Sequence, residues 1–230
     1  MELLPPEPQL VEVGPGTGHA TQLLLERGAR VKAIEIGPKL GVALAQRLGN
    51  FLESGQLEVI IADYEGLEPE SRMADAVVCA TAYHWISPAE QLTRPRRWLV
   101  PEGRLAIIDT MQVQSDADGG YFEAAQPIYE RFGHASGATG QEAETVRPAI
   151  HDRMVSDETC TDVTLDRCPW DQTYDASSYR DLLNTYSGTL AMAEPARTEM
   201  VDELIQLVED MGGEVTRPLV ITLATCRFAG

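Results

Sequence analysis

The chain has 230 residues, of which 43% are hydrophobic, and this is enough for one α/β domain with a complete core. Its 36 acidic residues outnumber the 18 basic ones and give a formal net charge of −18, which argues against nucleic acid as a partner because phosphate binding requires a basic surface. No apolar run approaches the ~18 residues of a membrane span, and no secretory signal is visible. We therefore expect a cytoplasmic protein that binds neither nucleic acid nor membranes.

The cysteines are scattered along the chain without the paired spacing of a zinc site. We expect them to be reduced residues of the core or of strands, and we expect no metal site. They are Cys79, Cys160, Cys168 and Cys226. The sequence gives no indication of the oligomeric state.

Residues 10–36 have the pattern of a strand, a glycine turn, a helix and a second strand. An apolar run ends at Val13, glycines follow at alternate positions, and a second apolar run ends at the acid Glu35. Such a βαβ unit predicts a parallel sheet that binds its ligand at the carboxyl ends of the strands. The helical periodicity predicts a core face made of Ala20, Leu23, Leu24 and Arg27.

The glycine turn and the acid that follows it predict a site for an adenosine-type ligand. Glycine permits positive φ and close approach of a ligand, and N–H groups at the start of a helix can bind a carboxylate or a phosphate. Glu35 follows Gly14 by about the 20 positions expected of a ribose-binding acid. A nicotinamide fingerprint requires a glycine where this chain has His19, so an NAD(P)-dependent oxidoreductase is the less favoured alternative.

The spacing of Glu12, Gly14, Gly16 and Gly18 resembles the first motif of class I S-adenosylmethionine-dependent methyltransferases. The resemblance implies that the methionine moiety of S-adenosylmethionine lies along the turn and that Glu35 holds the ribose. It also implies that Glu12 contacts the donor's ammonium, directly or through water. The alternative for Glu12 is a strand-end acid paired with a backbone amide or a basic residue. The cofactor-binding residues implied by this region are Glu12, Val13, Gly14, Pro15, Gly16, Gly18, Glu35 and Ile36.

A third apolar run, residues 57–62, predicts a buried strand that ends at Asp63 and Tyr64. An acid at this strand end matches a further motif of the same family. The resemblance implies that Asp63 hydrogen-bonds the adenine amino group and that Tyr64 flanks the ring. The alternative for Asp63 is a turn or helix-capping residue, which a strand end often requires.

A fourth apolar run, residues 76–80, predicts a fully buried strand followed by a loop over residues 81–86. The Ala-Tyr-His-Trp sequence of this loop resembles a subgroup of small-molecule methyltransferases of the methyltransferase type 11 kind. The resemblance implies that Thr81, Tyr83 and Trp85 bind the cofactor. For the two aromatic residues, packing of the loop is the alternative.

His84 is the candidate catalytic base in this loop, because imidazole exchanges protons readily near neutral pH. The alternative, to which we give equal weight, is a histidine that fixes the loop by hydrogen bonding. After the loop, Ser87 and Glu90 have the spacing of a helix capping box. Pro95 is expected to kink or shorten the helix that this box begins.

The rest of the chain completes a predicted α/β fold that is Rossmann-like and doubly wound. Its sheet is expected to be mostly parallel, with an antiparallel C-terminal strand and a helical insert over the strand ends that forms the substrate pocket. Asp175 is expected to cap a helix. We predict one methyltransferase domain over residues 1–230, divided into a cofactor-binding core (10–109), a helical insert (110–160) and a C-terminal part that completes the sheet (161–230).

The leading hypothesis is transfer of a methyl group from S-adenosylmethionine to a small molecule by in-line displacement. The acidic composition supports a small acceptor, and the chain lacks the Asn/Asp-Pro-Pro-aromatic motif of base-methylating relatives. A non-catalytic cofactor-binding protein is an alternative, because a proline-rich stretch stands where the family usually has a covering helix. For four further residues we favour core placement over substrate contact: Met111, His134, Trp170 and Tyr186.

Overall fold

The computed structural model describes residues 4–69, 71–133 and 140–229, apart from the side chain of Ser187. Within these ranges the chain forms a seven-stranded sheet flanked by helices. The strands are β1 (Gln9–Val13), β2 (Arg30–Glu35), β3 (Leu57–Ile61), β4 (Ala74–Ala80), β5 (Leu99–Gln112), β6 (Cys160–Asp175) and β7 (Glu214–Phe228). The helices are α1 (His19–Glu26), α2 (Pro38–Arg47), α3 (Gly49–Glu53), α4 (Pro95–Trp98), α5 (Tyr121–Arg131), α6 (Ala149–Ser156), α7 (Ala176–Leu183), α8 (Ser187–Leu190) and α9 (Ala196–Asp210).

The strand order is β3-β2-β1-β4-β5-β7-β6, which confirms the predicted Rossmann-like fold. β1 pairs in parallel with β2 and β4, β2 with β3, and β4 with β5. Side-chain pairs such as Arg104–Thr225 and Arg217–Gln112 run in opposite chain directions, so β7 is antiparallel to β5. The order reverses between β1 and β4, and ligands of doubly wound folds bind at the carboxyl ends of the strands at such a point.

The chain consists of two compact units, and the first contains Met1–Asp109, Arg147–Asp166 and Thr222–Gly230. Alternate residues of its strands are buried on opposite faces of the sheet. On β1, for example, Val11 lies in one apolar cluster and Leu10 in the other. Burial on both faces explains why the parallel strands are almost continuously apolar in sequence.

The second unit contains Thr110–Val146 and Arg167–Ile221. Its core is an aromatic cluster to which α5, α7 and α9 contribute, and the rings of Tyr121 and Tyr179 meet edge to face at 5.6 Å. Asp175 caps α7 as expected, because its carboxylate accepts a 2.7 Å hydrogen bond from the backbone N–H of Ser178. The three-part division of the domain stays a prediction.

The core face predicted for α1 is wrong in detail. α1 buries Thr21 and Leu25, whereas Leu23 and Arg27 are exposed. Thr21 and Leu25 are one helical turn apart, so the stripe that faces the sheet is rotated by about one residue from the predicted one.

The helix predicted at Ser87 is also absent from the described residues. Residues 88–93 form turns, and Pro95 begins the short helix α4 instead of kinking a longer one. The reason is a competing contact, because both the N–H and the hydroxyl of Ser87 donate to the carboxylate of Glu65. In a capping box the N–H of Ser87 would donate to Glu90, so its bond to Glu65 takes the place of that contact.

The cysteines lie on strands as predicted, and all of them are free thiols. Cys79 and Cys226 are buried, while Cys168 is exposed. None of the helices in the described ranges combines the length and the apolar composition that crossing a membrane would require.

Candidate active site

The glycine turn after β1 adopts the left-handed backbone that its sequence predicts. Gly14 has φ +64°, and a Cβ at this position would lie only 2.8 Å from the Cβ of Ala82, in the loop after β4. Gly16 has φ +58°, but a Cβ there would meet no atom within 4 Å. Gly14 is thus required for packing against the neighbouring loop, whereas Gly16 borders open space. The N–H of Gly18 closes the turn by donating to the carbonyl of Pro15 at 3.0 Å.

Glu35 joins this turn to the start of α2. One carboxylate oxygen accepts a 2.9 Å hydrogen bond from the N–H of Gly16, and the other accepts a 2.8 Å hydrogen bond from the N–H of Gly37. The residue is buried at the carboxyl end of β2. Each oxygen keeps a second acceptor direction, so the carboxylate can also receive the two hydroxyls of a ribose.

Large apolar side chains beside Glu35 are unusually exposed. Ile36 follows Glu35 directly and is 69% exposed. Ile61 pairs with Glu35 in the β2–β3 register and is 48% exposed. Leu40, in the first turn of α2, is exposed as well. These side chains form an apolar surface that is open to solvent at the carboxyl ends of β2 and β3.

Glu12 lies on β1 with its side chain 1% exposed. Neither carboxylate oxygen makes a hydrogen bond in the described part of the chain. Burial raises the pKa of Glu12 to about 7, and the nearby Thr21 hydroxyl opposes this rise. A buried acid without a partner is costly, and a cation bound beside it would lower that cost. The alternative in which Glu12 pairs with a backbone amide or a basic residue is therefore not observed among the described residues.

Asp63 and Tyr64 follow β3 but differ in environment. Asp63 is exposed, and its carboxylate accepts a 2.9 Å hydrogen bond from the N–H of Glu65, which is the turn role considered as an alternative. Tyr64 is buried and stacks on Trp98 with ring centroids 6.4 Å apart. The ring of Tyr64 therefore belongs to the core, and only its backbone lies at the strand end.

The loop after β4 begins with a strained residue. Thr81 has φ +57°, and its N–H donates a 2.8 Å hydrogen bond to the carbonyl of Ile108 on β5. A β-branched residue in this left-handed region costs of order 1–3 kcal/mol, and such residues cluster at functional sites.

The three aromatic residues of this loop separate into one buried and two exposed side chains. Tyr83 is buried, and its hydroxyl donates a 2.6 Å hydrogen bond to the carbonyl of Gln91, so packing explains its presence. Trp85 is 78% exposed, which excludes the packing alternative for its ring. His84 is also exposed, and its ring centroid lies 5.1 Å from that of Trp85.

Asp109 is a site residue that the sequence reasoning missed. It lies on β5 one position after Ile108, which pairs with the last residue of β4, so its carboxylate lies at the same strand end as the His84 loop. Burial raises the pKa of Asp109, and the positive charge of His84 opposes this rise. The signal that could have identified it is an acid directly after a buried apolar strand, as at Glu35 and Asp63.

The remaining candidates are dispersed. Val13 contributes its side chain to the core and its backbone to the turn. Met111 is partly buried, whereas Trp170 is exposed, so the core placement favoured for Trp170 is wrong. Tyr186 packs against the aromatic core of the second unit. His134 lies outside the described residues.

Comparison with known proteins gives similarities to methyltransferases. Residues 11–107 match the family model described as a methyltransferase domain. An uncharacterized methyltransferase of Mycobacterium tuberculosis is 27% identical over 200 residues, which cover 87% of this chain and 73% of the relative. A dimethyladenosine transferase of Chaetomium thermophilum is 40% identical over 85 residues, only 37% of this chain and 22% of that protein.

Solved structures share the fold. A proposed type II methyltransferase of Anaeromyxobacter dehalogenans has a TM-score of 0.64 at 16% identity, with 98% of this chain and 91% of that chain covered. The phosphoethanolamine N-methyltransferase 2 of Haemonchus contortus, solved with S-adenosylmethionine, has a TM-score of 0.54 at 12% identity over 98% of this chain and 49% of that chain. The matched domain, the methyltransferase relatives and the strand order together indicate a class I S-adenosylmethionine-dependent methyltransferase.

Proposed function

We propose that this methyltransferase transfers the methyl group of S-adenosylmethionine to a small organic molecule by in-line displacement, with His84 as the base. The observation that carries the proposal is the exposed pair His84 and Trp85. The pair follows β4. The strand order reverses between β4 and its neighbour β1, and the glycine turn follows β1.

The donor is proposed to lie along the carboxyl ends of β1, β2 and β3. The N–H groups of the glycine turn bind its carboxylate, and buried Glu12 receives its ammonium. Glu35 accepts the ribose hydroxyls, and Asp63, which remains exposed, accepts the adenine amino group. The exposed side chains of Ile36 and Ile61 cover the adenine.

Methyl transfer mainly requires that the protein position the donor and the acceptor. Bound S-adenosylmethionine supplies a methyl carbon on a sulfonium, whose leaving group is a neutral thioether. Holding the acceptor in line can supply about 7–11 kcal/mol of the barrier. His84 removes the acceptor's proton where the attacking atom carries one, and the carboxylate of Asp109 stabilises the imidazolium that forms. The ring face of Trp85 stabilises positive charge beside it.

A small, non-nucleic-acid acceptor is supported by the net charge of −18, since a phosphate backbone would be repelled. The free thiols of all four cysteines support a reducing, cytoplasmic location.

Thermal-shift and calorimetric titrations with S-adenosylhomocysteine, S-adenosylmethionine, NAD and NADP test the donor assignment. We expect stabilisation by the first two ligands only. Stabilisation by the nicotinamide cofactors alone would reject it. A panel of small amines, phenols and carboxylic acids, with release of S-adenosylhomocysteine as the readout, then tests turnover. Tight donor binding without turnover of any acceptor would favour the non-catalytic alternative.

A further inference from the structure

The second unit contains an arginine in an aromatic environment, outside the site described above. Arg217 lies on β7 and is partly buried. Its Nε and Nη2 groups donate hydrogen bonds of 3.2 and 2.9 Å to the same acceptor, Oε1 of Gln112. Its guanidinium carbon lies 5.7 Å from the ring centroid of Tyr186. The side chain is thus held in place by an amide and a ring, neither of which neutralises its charge.

Arg217 has no carboxylate partner among the residues that the structure describes. This is notable because acids outnumber bases 36 to 18 in the chain. Other arginines of the same unit do pair with acids, as Arg131 does with Glu203 and Arg180 with Asp202. A guanidinium has five N–H donors, and only two of those of Arg217 are directed at Gln112. Gln112 and Tyr186 share these donors, but no acid among the described residues balances the positive charge.

Tyrosine hydroxyls surround this charge. The hydroxyl of Tyr186 is buried, and burial raises its pKa while the charge and a hydrogen bond of Arg217 oppose the rise. Burial also raises the pKa of Tyr129 and of Tyr179, and the charge of Arg217 opposes both rises. The cluster therefore offers hydroxyl donors beside a guanidinium in a largely apolar environment, where hydrogen bonds to an anion are strong.

We propose that Arg217 and Tyr186 form a binding site for the carboxylate of a small organic acid. A guanidinium edge matches a carboxylate in shape and binds it through two parallel hydrogen bonds. One positive charge balances a monoanion, whereas a phosphate dianion would keep an uncompensated charge in the aromatic cluster. The hydroxyl of Tyr186 supplies a further donor to the same anion. The site belongs to the second unit and does not depend on the proposed methyl transfer.

Titration with benzoate, acetate and inorganic phosphate at constant ionic strength tests the site. We expect the two carboxylates to raise the melting temperature of the wild type, and phosphate to have a smaller effect at equal concentration. Arg217→Gln is expected to weaken carboxylate binding at least about tenfold, and Tyr186→Phe is expected to weaken it by a smaller factor. Phosphate binding more tightly than either carboxylate, or no carboxylate effect on the wild type at tens of millimolar, would overturn the proposal.

Arg167 provides a matched control in the same unit. It is also partly buried and without a described carboxylate partner, and its Nε donates a 2.8 Å hydrogen bond to the carbonyl of Val146. Arg167→Gln should keep the wild-type response to carboxylates. If Arg217→Gln does not fold, Arg217→Lys retains the charge but loses the planar fork, and its carboxylate affinity should still fall severalfold. If the folded variant, Arg217→Gln or Arg217→Lys, binds carboxylates as tightly as the wild type, the proposed site is refuted.

Discussion

The carboxylate of Glu35 accepts a hydrogen bond of 2.9 Å from the backbone N–H of Gly16, so the acid that ends β2 holds the middle of the glycine turn. Its second oxygen holds the N–H of Gly37 in the same way. One buried carboxylate thereby fixes two backbone segments at the carboxyl ends of β1 and β2. These are the two segments along which the proposed donor site lies.

Glu35→Gln is expected to weaken S-adenosylhomocysteine binding at least about tenfold. An amide keeps one acceptor oxygen and directs its NH₂ toward one of the two backbone donors, so the turn loses a contact and the ribose loses an acceptor. Calorimetric titration measures the loss. Glu58→Gln serves as the control, since Glu58 pairs with Lys32 near the surface at 3.1 Å and lies outside the glycine turn. Equal affinities of the wild type and Glu35→Gln would show that Glu35 does not hold the ribose.

Gly16→Ala and Gly28→Ala are expected to separate backbone strain from ligand contact. Both glycines have positive φ, and a Cβ at either position meets no atom within 4 Å. Each substitution should therefore destabilise the fold by about 1 kcal/mol. Only Gly16→Ala should also weaken S-adenosylhomocysteine binding, because its methyl group occupies the space beside the turn. Urea unfolding and calorimetry give the two quantities, and parallel binding losses in both variants would contradict the assignment.

The fold was predictable because each step of the β1-α1-β2 pattern has a local cause. The glycines at 14, 16 and 18 all have positive φ, as their spacing after an apolar strand indicated. Acids that directly follow apolar strands mark the carboxyl ends, and this rule placed Glu35 and Asp63 correctly at strand ends. The same pattern applies to Asp109, which follows the apolar residues 105–108, although β5 itself continues to Gln112.

Side-chain burial could not be predicted in the same way, because it depends on residues distant in sequence. Tyr64 is buried by stacking on Trp98, 34 positions later in the chain, and nothing near Tyr64 indicates that partner. Ser87 has the local pattern of a helix cap, but its hydroxyl donates a hydrogen bond to Glu65 in another loop. Local patterns thus determined the backbone path, whereas long-range contacts decided which side chains the site presents.

Glu12 should make stability depend on pH. Its pKa is raised from an ordinary 4.5 to about 7 in the folded protein, so the folded state holds the proton more tightly than the unfolded state. The associated stability is fully present below pH 4.5 and is lost as the pH rises through about 7. Glu12→Gln stays neutral, so its stability relative to the wild type should grow over this window, toward about 3 kcal/mol. Urea unfolding at several pH values measures it, and a constant difference would contradict the buried, unpaired state.

The same carboxyl should make donor binding depend on pH with the opposite sign. The ammonium of S-adenosylhomocysteine interacts favourably with ionised Glu12 and not with its neutral form, so wild-type affinity should rise as the pH passes through about 7. Glu12→Gln should bind more weakly and lose this dependence. Calorimetry with 5′-methylthioadenosine, which lacks the amino acid moiety, is the control, because its affinity should not follow Glu12. Identical pH profiles for both ligands would exclude the ammonium contact.

His84→Ala is expected to lower turnover by about 10²–10⁴-fold while S-adenosylhomocysteine affinity stays unchanged, because the proposed base acts on the acceptor and not on the donor. A second readout tests the contact with Asp109. Burial raises the pKa of that carboxyl and the charge of His84 opposes the rise, so removing the imidazole should raise the pKa of Asp109 further. Carboxyl ¹³C chemical shifts report this titration directly. Unchanged turnover would show that His84 is not the base. An unchanged pKa of Asp109 would show that the two side chains do not interact.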